Sequence, residues 1–469
     1  MLFGWAVSTE RSNGKIIVTF IRVPQRISVI TGDAALLFFA LAAFLSPFQV
    51  FSLNPVEAEM AGNAGAGINF SIIDFCLILS VCAIFLTSRK IRVPAHLPLG
   101  FYALFLLFAS LSTLRAHNVA ESYFHILQYL FIFIFIVTAS NILSENEEKT
   151  LLIYKYFIAG CLLHLILSLY VYLTVGRFNI FQQALSLNDQ FYGAGGLSRT
   201  GLVVAGFAIA SIRMRFHQRR WARLMVSALI CTFSMWLTVL TYNRATLIGL
   251  FVIIFVGTVL PVGGRLSFIR IGTRALVVLV ILVVGIVVGA DTVLPEHFIA
   301  KIMPVLMDPL SSDFMYRYST MSAVVRSFEE SAIIGYGMDF SNVVPGLSPY
   351  FEGPVNNPNP HNVYLLWWAG AGFIGMMLMI AAVGATIWQG YLGIKRSDSG
   401  SELRMIMIGA LSVFAGFLSF YLVHGSSFRR IDWMVVGLLL ACASVVRTRW
   451  YSQGGNVDAG KTRRIDGFR

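Results

Sequence analysis

Residues 356–375 read NNPNPHNVYLLWWAGAGFIG, and the rest of the chain is organised around this stretch. Its first five positions hold three Asn and two Pro, a composition that predicts a turn. The apolar run that follows predicts a helix, with Asn359 as its cap and Pro360 at the first helical position. His361 would then lie in the first turn, where the partial positive charge disfavours imidazolium. A neutral imidazole can act as a general base, so His361 is the candidate catalytic residue, with a structural role at the helix start as the alternative.

Composition places the chain in a membrane. Hydrophobic residues make up 57% of the chain and charged residues 12%, against about a quarter charged in an average soluble domain. We therefore expect an all-α polytopic membrane protein with about twelve transmembrane helices. The apolar runs long enough to span a bilayer are 33–53, 70–87, 97–114, 123–141, 151–175, 197–212, 224–242, 245–262, 275–294, 361–389, 406–424 and 431–446.

The distribution of positive charge predicts the orientation. When the N-terminus is placed in the cytoplasm, most of the 35 Lys and Arg residues fall in segments on the inner face. Both termini are then cytoplasmic: residues 1–32 form an interfacial N-terminal segment, residues 33–446 a single transmembrane domain and residues 447–469 a basic tail. The formal net charge of +12 is then explained by topology and by contacts with anionic membrane lipids, and no nucleic-acid partner is expected.

One predicted outer segment is far longer than the others. It covers about residues 290–360, between the ninth and tenth spans. Apolar residues in its second half recur at helical spacing, which predicts one or two amphipathic helices on the outer, periplasmic face. These residues are Phe314, Tyr318, Met321, Val325 and Phe328.

Several arginines, among them Arg115 and Arg244, lie on the predicted outer side, where the charge rule disfavours them. Arg244 stands between two apolar spans, Arg199 opens the sixth span among glycines, and Arg317 lies in the amphipathic loop segment. Charge near a bilayer is costly, so its retention indicates function. Guanidinium groups gathered in one cavity would bind a polyphosphate, because the planar guanidinium matches phosphate oxygens. The alternatives are an interfacial side chain that snorkels or pairs with backbone carbonyls for Arg244, a helix-start side chain held by headgroups for Arg199, and a solvated helix face for Arg317.

Further residues around the same stretch are secondary candidates for substrate binding. Asn362 and Tyr364 follow His361 in the motif, and Arg430 lies in a tight outer turn. Arg430 could instead pair with Asp432, two residues further on. The spaced glycines of AGAGFIG predict close packing between helices.

An acidic pair offers a metal-binding alternative. Glu57 and Glu59 form an ExE in the first predicted outer loop. Hard cations prefer more oxygen ligands than one such pair supplies. We therefore expect neither a metal nor another cofactor.

Four segments resemble one known family. PHNVYLLWWAGAGFIG is similar to the signature of the O-antigen ligase and O-antigen polymerase superfamily, a His motif followed by an aromatic, apolar helix with spaced glycines. YNRATLIGL resembles the family's arginine-containing span start, with Asn243 where Ser is usual and Arg244 matched. YRYSTMSAVVRSFEESAIIGYGMDF resembles the stretch before the His motif, with Arg317 as its leading arginine, and LSRTGL resembles an upstream element that carries Arg199. Together these segments cover roughly residues 195–380.

The resemblance implies a helical glycosyltransferase in the bacterial inner membrane, with its active site facing the periplasm. It implies a glycan donor on undecaprenyl pyrophosphate and, for a ligase, an acceptor hydroxyl on lipid A-core. It also implies inversion at the anomeric centre without a metal. His361 would take the acceptor proton, while Arg244, Arg317 and Arg199 would hold the pyrophosphate.

Two alternatives remain open from the sequence. An O-antigen or exopolysaccharide polymerase would use the same chemistry on a lipid-linked glycan acceptor. A transporter for lipid-linked glycans would also suit about twelve spans and arginines in a cavity. Transport leaves the large outer loop and its His motif unexplained.

Overall fold

The computed structural model describes residues 8–12, 15–19, 25–48, 72–87, 90–92, 96–143, 146–175, 194–241, 244–260, 321–327, 333–338, 343, 347, 349, 362–422 and 430–452. Within these ranges the chain forms eleven α-helices whose bounds follow, a helical turn at 321–326 and a small antiparallel sheet. The helices are α1 (Gln25–Leu45), α2 (Ile72–Thr87), α3 (His96–Ser112), α4 (Val119–Leu143), α5 (Glu147–Val175), α6 (Ala194–His217), α7 (Trp221–Val239), α8 (Arg244–Val259), α9 (Val363–Arg396), α10 (Glu402–Phe420) and α11 (Arg430–Ser452). A short 3-10 helix, Thr113–Arg115, continues α3.

The helices agree with a polytopic membrane protein. Eight of those in the described ranges are long and apolar enough to cross a membrane, judged by length and composition. Three shorter apolar helices add to them, at Ala34–Leu45, Ile72–Leu86 and Ala245–Val259. Every predicted span except 275–294, which lies outside the described residues, coincides with one of these helices. The α-helical membrane architecture is therefore confirmed, while the total of about twelve spans stays a prediction.

A small sheet corrects the all-α expectation. Strands β1 (Ser8–Ser12), β2 (Lys15–Thr19) and β3 (Lys90–Arg92) pair antiparallel in that order. The register pairs Ser12 with Lys15, so two residues connect β1 to β2. In the sequence those residues are Asn13 and Gly14, a dipeptide favoured in two-residue hairpins. Only an interfacial segment is predicted over residues 1–32, although Asn13 and Gly14 indicate a hairpin.

Three helices form the centre of the bundle. The membrane-length windows of α6, α10 and α11 are 83% buried inside the protein, whereas that of α7 is only 22% buried. Helix α6 packs against α7, α8 and α10, and α10 packs against α8 and α11. Helix α9 packs against α3 and α11. The functional residues predicted on α6, α9 and α11 therefore belong to helices that contact this centre.

Polar contacts define the two ends of the bundle. At one end, Arg215 near the end of α6 lies 3.4 Å from Glu402 at the start of α10. At the same end, Arg213 donates to the carbonyl of Leu260, just after α8, at 2.7 Å. The opposite end holds the starts of α6, α9 and α11 and the end of α10. We call it the outer end, because the charge distribution predicts that it faces outward.

Helix α9 is broken at Gly372. This residue has φ 82° and ψ 171°, a backbone conformation that only glycine adopts readily. The part after the break, 373–396, rises about 36 Å, enough to cross a hydrocarbon core of about 30 Å. Residues 363–371 are therefore a separate segment, which we call the outer half-helix. The prediction that these glycines serve only helix packing is wrong for Gly372, because its role is to turn the chain.

Candidate active site

The structure describes some of the predicted site residues and not others. His361 and Arg317 lie outside the described residues. Arg244 is the first residue of α8, and its backbone alone is described. Arg199, Asn362, Tyr364 and Arg430 are described with their side chains.

The cap of α9 differs from the prediction. The residue at the N-cap is Asn362, with φ −143° and ψ 113°, and its side chain accepts a hydrogen bond from the Leu365 amide at 3.1 Å. The prediction of Asn359 as the cap is therefore wrong. The prediction that His361 lies in the first turn is also wrong, because the helix begins at Val363. Asn362 is the cap because its side chain accepts a hydrogen bond from the Leu365 amide, which has no partner within the first turn of the helix. In the sequence, His361 directly precedes this cap.

The start of the outer half-helix is tied to the end of α10. The side-chain Nδ2 of Asn362 donates to the Leu422 carbonyl at 3.1 Å, and the backbone amide of Val363 donates to the Tyr421 carbonyl at 3.0 Å. The Tyr364 hydroxyl donates to the Leu418 carbonyl at 3.0 Å. Asn362 and Tyr364, predicted as substrate contacts, therefore both make hydrogen bonds that fix this segment.

Arg199 sits in a buried charge cluster at the outer end. Its side chain is 1% exposed, and its Nη1 lies 3.8 Å from Oδ2 of Asp432, which is fully buried. The Tyr421 hydroxyl donates to the same carboxylate. The guanidinium also lies 5.3 Å and 5.7 Å from the ring centroids of Phe420 and Tyr421. Because a buried cation is stable only with such compensation, the paired guanidinium joins the start of α6 to the end of α10.

This cluster connects Arg199 with the start of α9. The Arg199 guanidinium pairs with Asp432, the carboxylate binds the Tyr421 side chain, and the Tyr421 backbone binds Val363. Val363 is two residues beyond His361 in the sequence. The structure therefore brings two separately predicted parts of the site to the same end of the bundle.

The start of α8 lies near the same end. The Ser198 hydroxyl donates to the Thr241 hydroxyl oxygen at 3.0 Å, and both residues are buried. Ser198 directly precedes Arg199, and Thr241 is three residues before Arg244. This hydrogen bond joins the start of α6 to the end of the segment that follows α7.

Arg430 has a different partner from the one considered in the sequence. Its Nε donates to Oδ1 of Asp74 at 2.7 Å, and its Nη2 binds the other carboxylate oxygen. Asp432 instead belongs to the Arg199 cluster. A pairing between Arg430 and Asp432 is therefore wrong, because side chains two residues apart on a helix point in different directions. The forked pair joins the start of α11 to the start of α2.

Part of the segment predicted as a large outer loop packs on the outer half-helix. Residues 321–326 are helical, as predicted for this region. Val324 is 1% exposed and clusters with Leu347 and Ala369, whereas Val325 is 54% exposed. The predicted apolar face, which included Val325, is therefore wrong at this position. The residue that contacts α9 is its neighbour in the chain.

Sequence reasoning missed Asp432 and Tyr421. Asp432 carried a usable signal, since a carboxylate in an apolar span is costly and needs a partner. Tyr421 carried none, because aromatic residues are common at the ends of spans. Within the described ranges, no three His, Cys, Asp or Glu side chains are grouped as metal ligands. Glu57 and Glu59 lie outside those ranges.

Comparison with known proteins relates about a third of the chain to one family. Residues 230–380 match the family model described as O-antigen ligase. Residues 230–380 belong to the O-antigen ligase superfamily. A related protein, an O-antigen ligase of Salmonella typhimurium, is 28% identical over 169 residues, which cover 33% of this chain and 37% of the relative. The match thus spans little more than a third of that O-antigen ligase.

The O-antigen ligase segment contains part of the predicted site. Arg244, Arg317 and His361 lie within residues 230–380, whereas Arg199 and Asp432 lie outside them. The contacts described above therefore join the family segment to α6 and α11, which the family model does not cover.

Proposed function

We propose that this protein transfers a glycan from undecaprenyl pyrophosphate to a hydroxyl of lipid A-core, as an O-antigen ligase. The observation that carries the proposal is the contact chain from Arg199 through Asp432 and Tyr421 to Val363. It brings a buried cation and the residues that follow the His motif to one end of a membrane bundle. The O-antigen ligase match of residues 230–380 supports this chemistry.

The arginines would stabilise the leaving group. When the glycosyl bond breaks, negative charge develops on the pyrophosphate. Fixed cations aimed at that charge stabilise the transition state, more strongly in a site that excludes water. Arg244 and Arg317 are the proposed direct ligands. Arg199, whose charge is compensated by Asp432 and whose side chain is 1% exposed, would act indirectly, by holding the start of α6 against the end of α10.

His361 would act on the acceptor. The acceptor oxygen forms a bond to the anomeric carbon from the side opposite the pyrophosphate, and the bond to the pyrophosphate oxygen breaks. The acceptor proton passes to the His361 imidazole, and the leaving pyrophosphate keeps the bonding electron pair. A displacement of this geometry inverts the anomeric centre. It needs a base and cations, both of which the chain's own side chains provide, so we propose that no metal takes part.

The proposed location is the bacterial inner membrane, with the outer end facing the periplasm. The basic residues near the ends of α6, α9 and α11 support this orientation, because such residues favour the cytoplasmic face. Residues 33–446 would then form one transmembrane domain with the loop of about residues 290–360 above it. Cytoplasmic termini and anionic lipids around the basic end complete the arrangement.

A transfer assay tests the proposal. Purified protein is expected to move a defined glycan from undecaprenyl pyrophosphate to lipid A-core, equally with and without a chelator. Arg244→Lys keeps the charge and loses the planar fork, so we expect kcat/KM to fall about 10- to 100-fold. Arg220→Lys at the opposite, exposed end is the matched control and should leave turnover unchanged.

Three outcomes would contradict the proposal in different ways. Wild-type turnover by Arg244→Lys would rule out the forked phosphate contact. Loss of activity with a chelator would favour a metal and direct attention to Glu57 and Glu59. In a deletion strain, accumulation of full polymer on its carrier lipid is expected of a ligase, whereas a single repeat retained on lipid A-core would identify a polymerase.

A further inference from the structure

Residues 333–338 of the outer loop cross α9 at its break, and we call them the strap. The Tyr336 amide donates to the Ala369 carbonyl at 2.8 Å, and the Gly337 amide donates to the Gly370 carbonyl at 3.1 Å. Carbonyls next to a helix break lose the amides that would follow them in a continuous helix. The strap supplies two such amides, so it completes the hydrogen bonding of the outer half-helix.

Glycines let the two backbones touch at this crossing. A Cβ atom on Gly335 would lie 2.2 Å from the Gly370 carbonyl oxygen, and one on Gly372 would lie 2.2 Å from the Ile333 carbonyl oxygen. Both distances are far below van der Waals contact, and the obstructing atoms are backbone atoms that cannot rotate away. The crossing therefore depends on glycine in both segments.

Two side chains outside α9 also bind the strap. Nη1 of Arg115, at the end of the 3-10 helix, donates to the Ile334 carbonyl at 3.3 Å, and its guanidinium lies 5.8 Å from the Tyr336 ring. The Ser122 hydroxyl oxygen, fully buried at the start of α4, accepts from the Met338 amide at 3.0 Å. Arg115 is one of the outer arginines that the charge rule disfavours, and this contact gives it a role.

We propose that Arg115 and Ser122 are positioning residues for glycan transfer, because they hold the strap against the outer half-helix that follows His361. This inference rests on the proposed function. The outer half-helix is fixed at its start by the end of α10, through Val363, and near its end by the strap. Fixing both ends sets the place of the His motif relative to the buried Arg199 cluster. A shift of about 1 Å in such a geometry costs as much as 100-fold in rate.

The test uses two readouts, one of which does not require activity. Hydrogen exchange of a peptide that covers residues 333–338 reports whether the Tyr336 and Gly337 amides stay bonded. Steady-state transfer reports kcat and the KM for the pyrophosphate donor. For Gly335→Ala and Ser122→Ala we expect exchange at least about tenfold faster, kcat lowered about 10- to 100-fold and KM within about twofold of wild type.

Matched controls separate positioning from general damage. Gly384→Ala lies in α9 after its break, where the added Cβ would meet no atom within 4 Å beyond the local helix backbone, so it should change neither readout. Ser122→Thr keeps the hydroxyl and should restore most of the kcat that Ser122→Ala loses. If Gly335→Ala does not fold, the comparison of Ser122→Ala with Ser122→Thr still tests the inference.

The outcomes distinguish this inference from the proposed function. Faster exchange with unchanged kcat would overturn the positioning role, and so would an equal loss of kcat in Gly384→Ala. Wild-type protein that transfers no glycan would overturn the proposed function together with the positioning role. Exchange in that protein would still report whether the strap is bound.

Discussion

Removing the charge of Asp432 should destabilise the protein strongly. Arg199 and Asp432 are 1% and 0% exposed, so neither charge can turn to water when its partner is lost. Breaking a buried pair of this kind costs about 3–5 kcal/mol, because an uncompensated charge stays inside. Asp432→Asn keeps the size of the side chain and an acceptor for the Tyr421 hydroxyl. The expected loss in the free energy of unfolding therefore comes from the charge.

The assay is reversible unfolding in mixed detergent micelles, compared with a matched exposed pair. Arg449 and Glu147 also form an ion pair, but their side chains are 53% and 24% exposed. Glu147→Gln should therefore cost less than about 1 kcal/mol. Combining Asp432→Asn with Arg199→Met should recover most of the stability, because the unpaired charge is then absent. If Asp432→Asn and Glu147→Gln unfold alike, Asp432 does not compensate the charge of Arg199.

Three further predictions concern packing and hydrogen bonds between helices. Gly201→Ala places a Cβ 1.9 Å from Oγ1 of Thr238 and should lower the free energy of unfolding by about 1–3 kcal/mol in the same assay. Adding Thr238→Ala should recover part of that loss. Tyr129→Phe removes the hydroxyl that accepts from Nε1 of Trp367 at 3.1 Å and should cost about 1–3 kcal/mol, whereas a loss near zero would mean that the indole finds another acceptor. Arg430→Lys loses one of the two hydrogen bonds to the Asp74 carboxylate and should lower the free energy of unfolding by about 1 kcal/mol. The KM for the donor should stay unchanged; a raised KM would identify Arg430 as a substrate contact.

The membrane-spanning helices could be predicted because each depends on a local apolar run. The predicted span 123–141 is α4, Val119–Leu143, and the predicted span 197–212 is α6, Ala194–His217. The observed helix ends lie up to several residues beyond the predicted ones, because polar residues at the membrane boundary continue a helix that packs against its neighbours.

The break in α9 could not be predicted from its own sequence. The motif AGAGFIG suits both a packed helix and a broken one. What decides is the strap, whose backbone passes so close to Gly372 that a side chain has no room. The cap was ambiguous for a similar reason. Asn359 and Asn362 are equally good capping residues, and the contacts of Asn362 with Leu365 and Leu422 select the second.

The charge pairs needed tertiary structure. Arg430 binds Asp74, 356 positions away in the chain, although Asp432 is two positions away. The sequence indicated that the outer arginines need negative partners but not which ones. Asp432 reaches Arg199 because α6 and α11 both pack at the centre of the bundle beside α10.

In the proposed mechanism, His361 takes the acceptor proton during transfer from a pyrophosphate donor. The most direct measurement is single-turnover transfer by wild-type protein and His361→Ala, with defined donor and lipid A-core acceptor in one detergent. Equal unfolding curves would establish that both are folded. We expect His361→Ala to bind the donor with unchanged affinity and to transfer the glycan at least about 100-fold more slowly. Transfer at the wild-type rate by folded His361→Ala would contradict this mechanism.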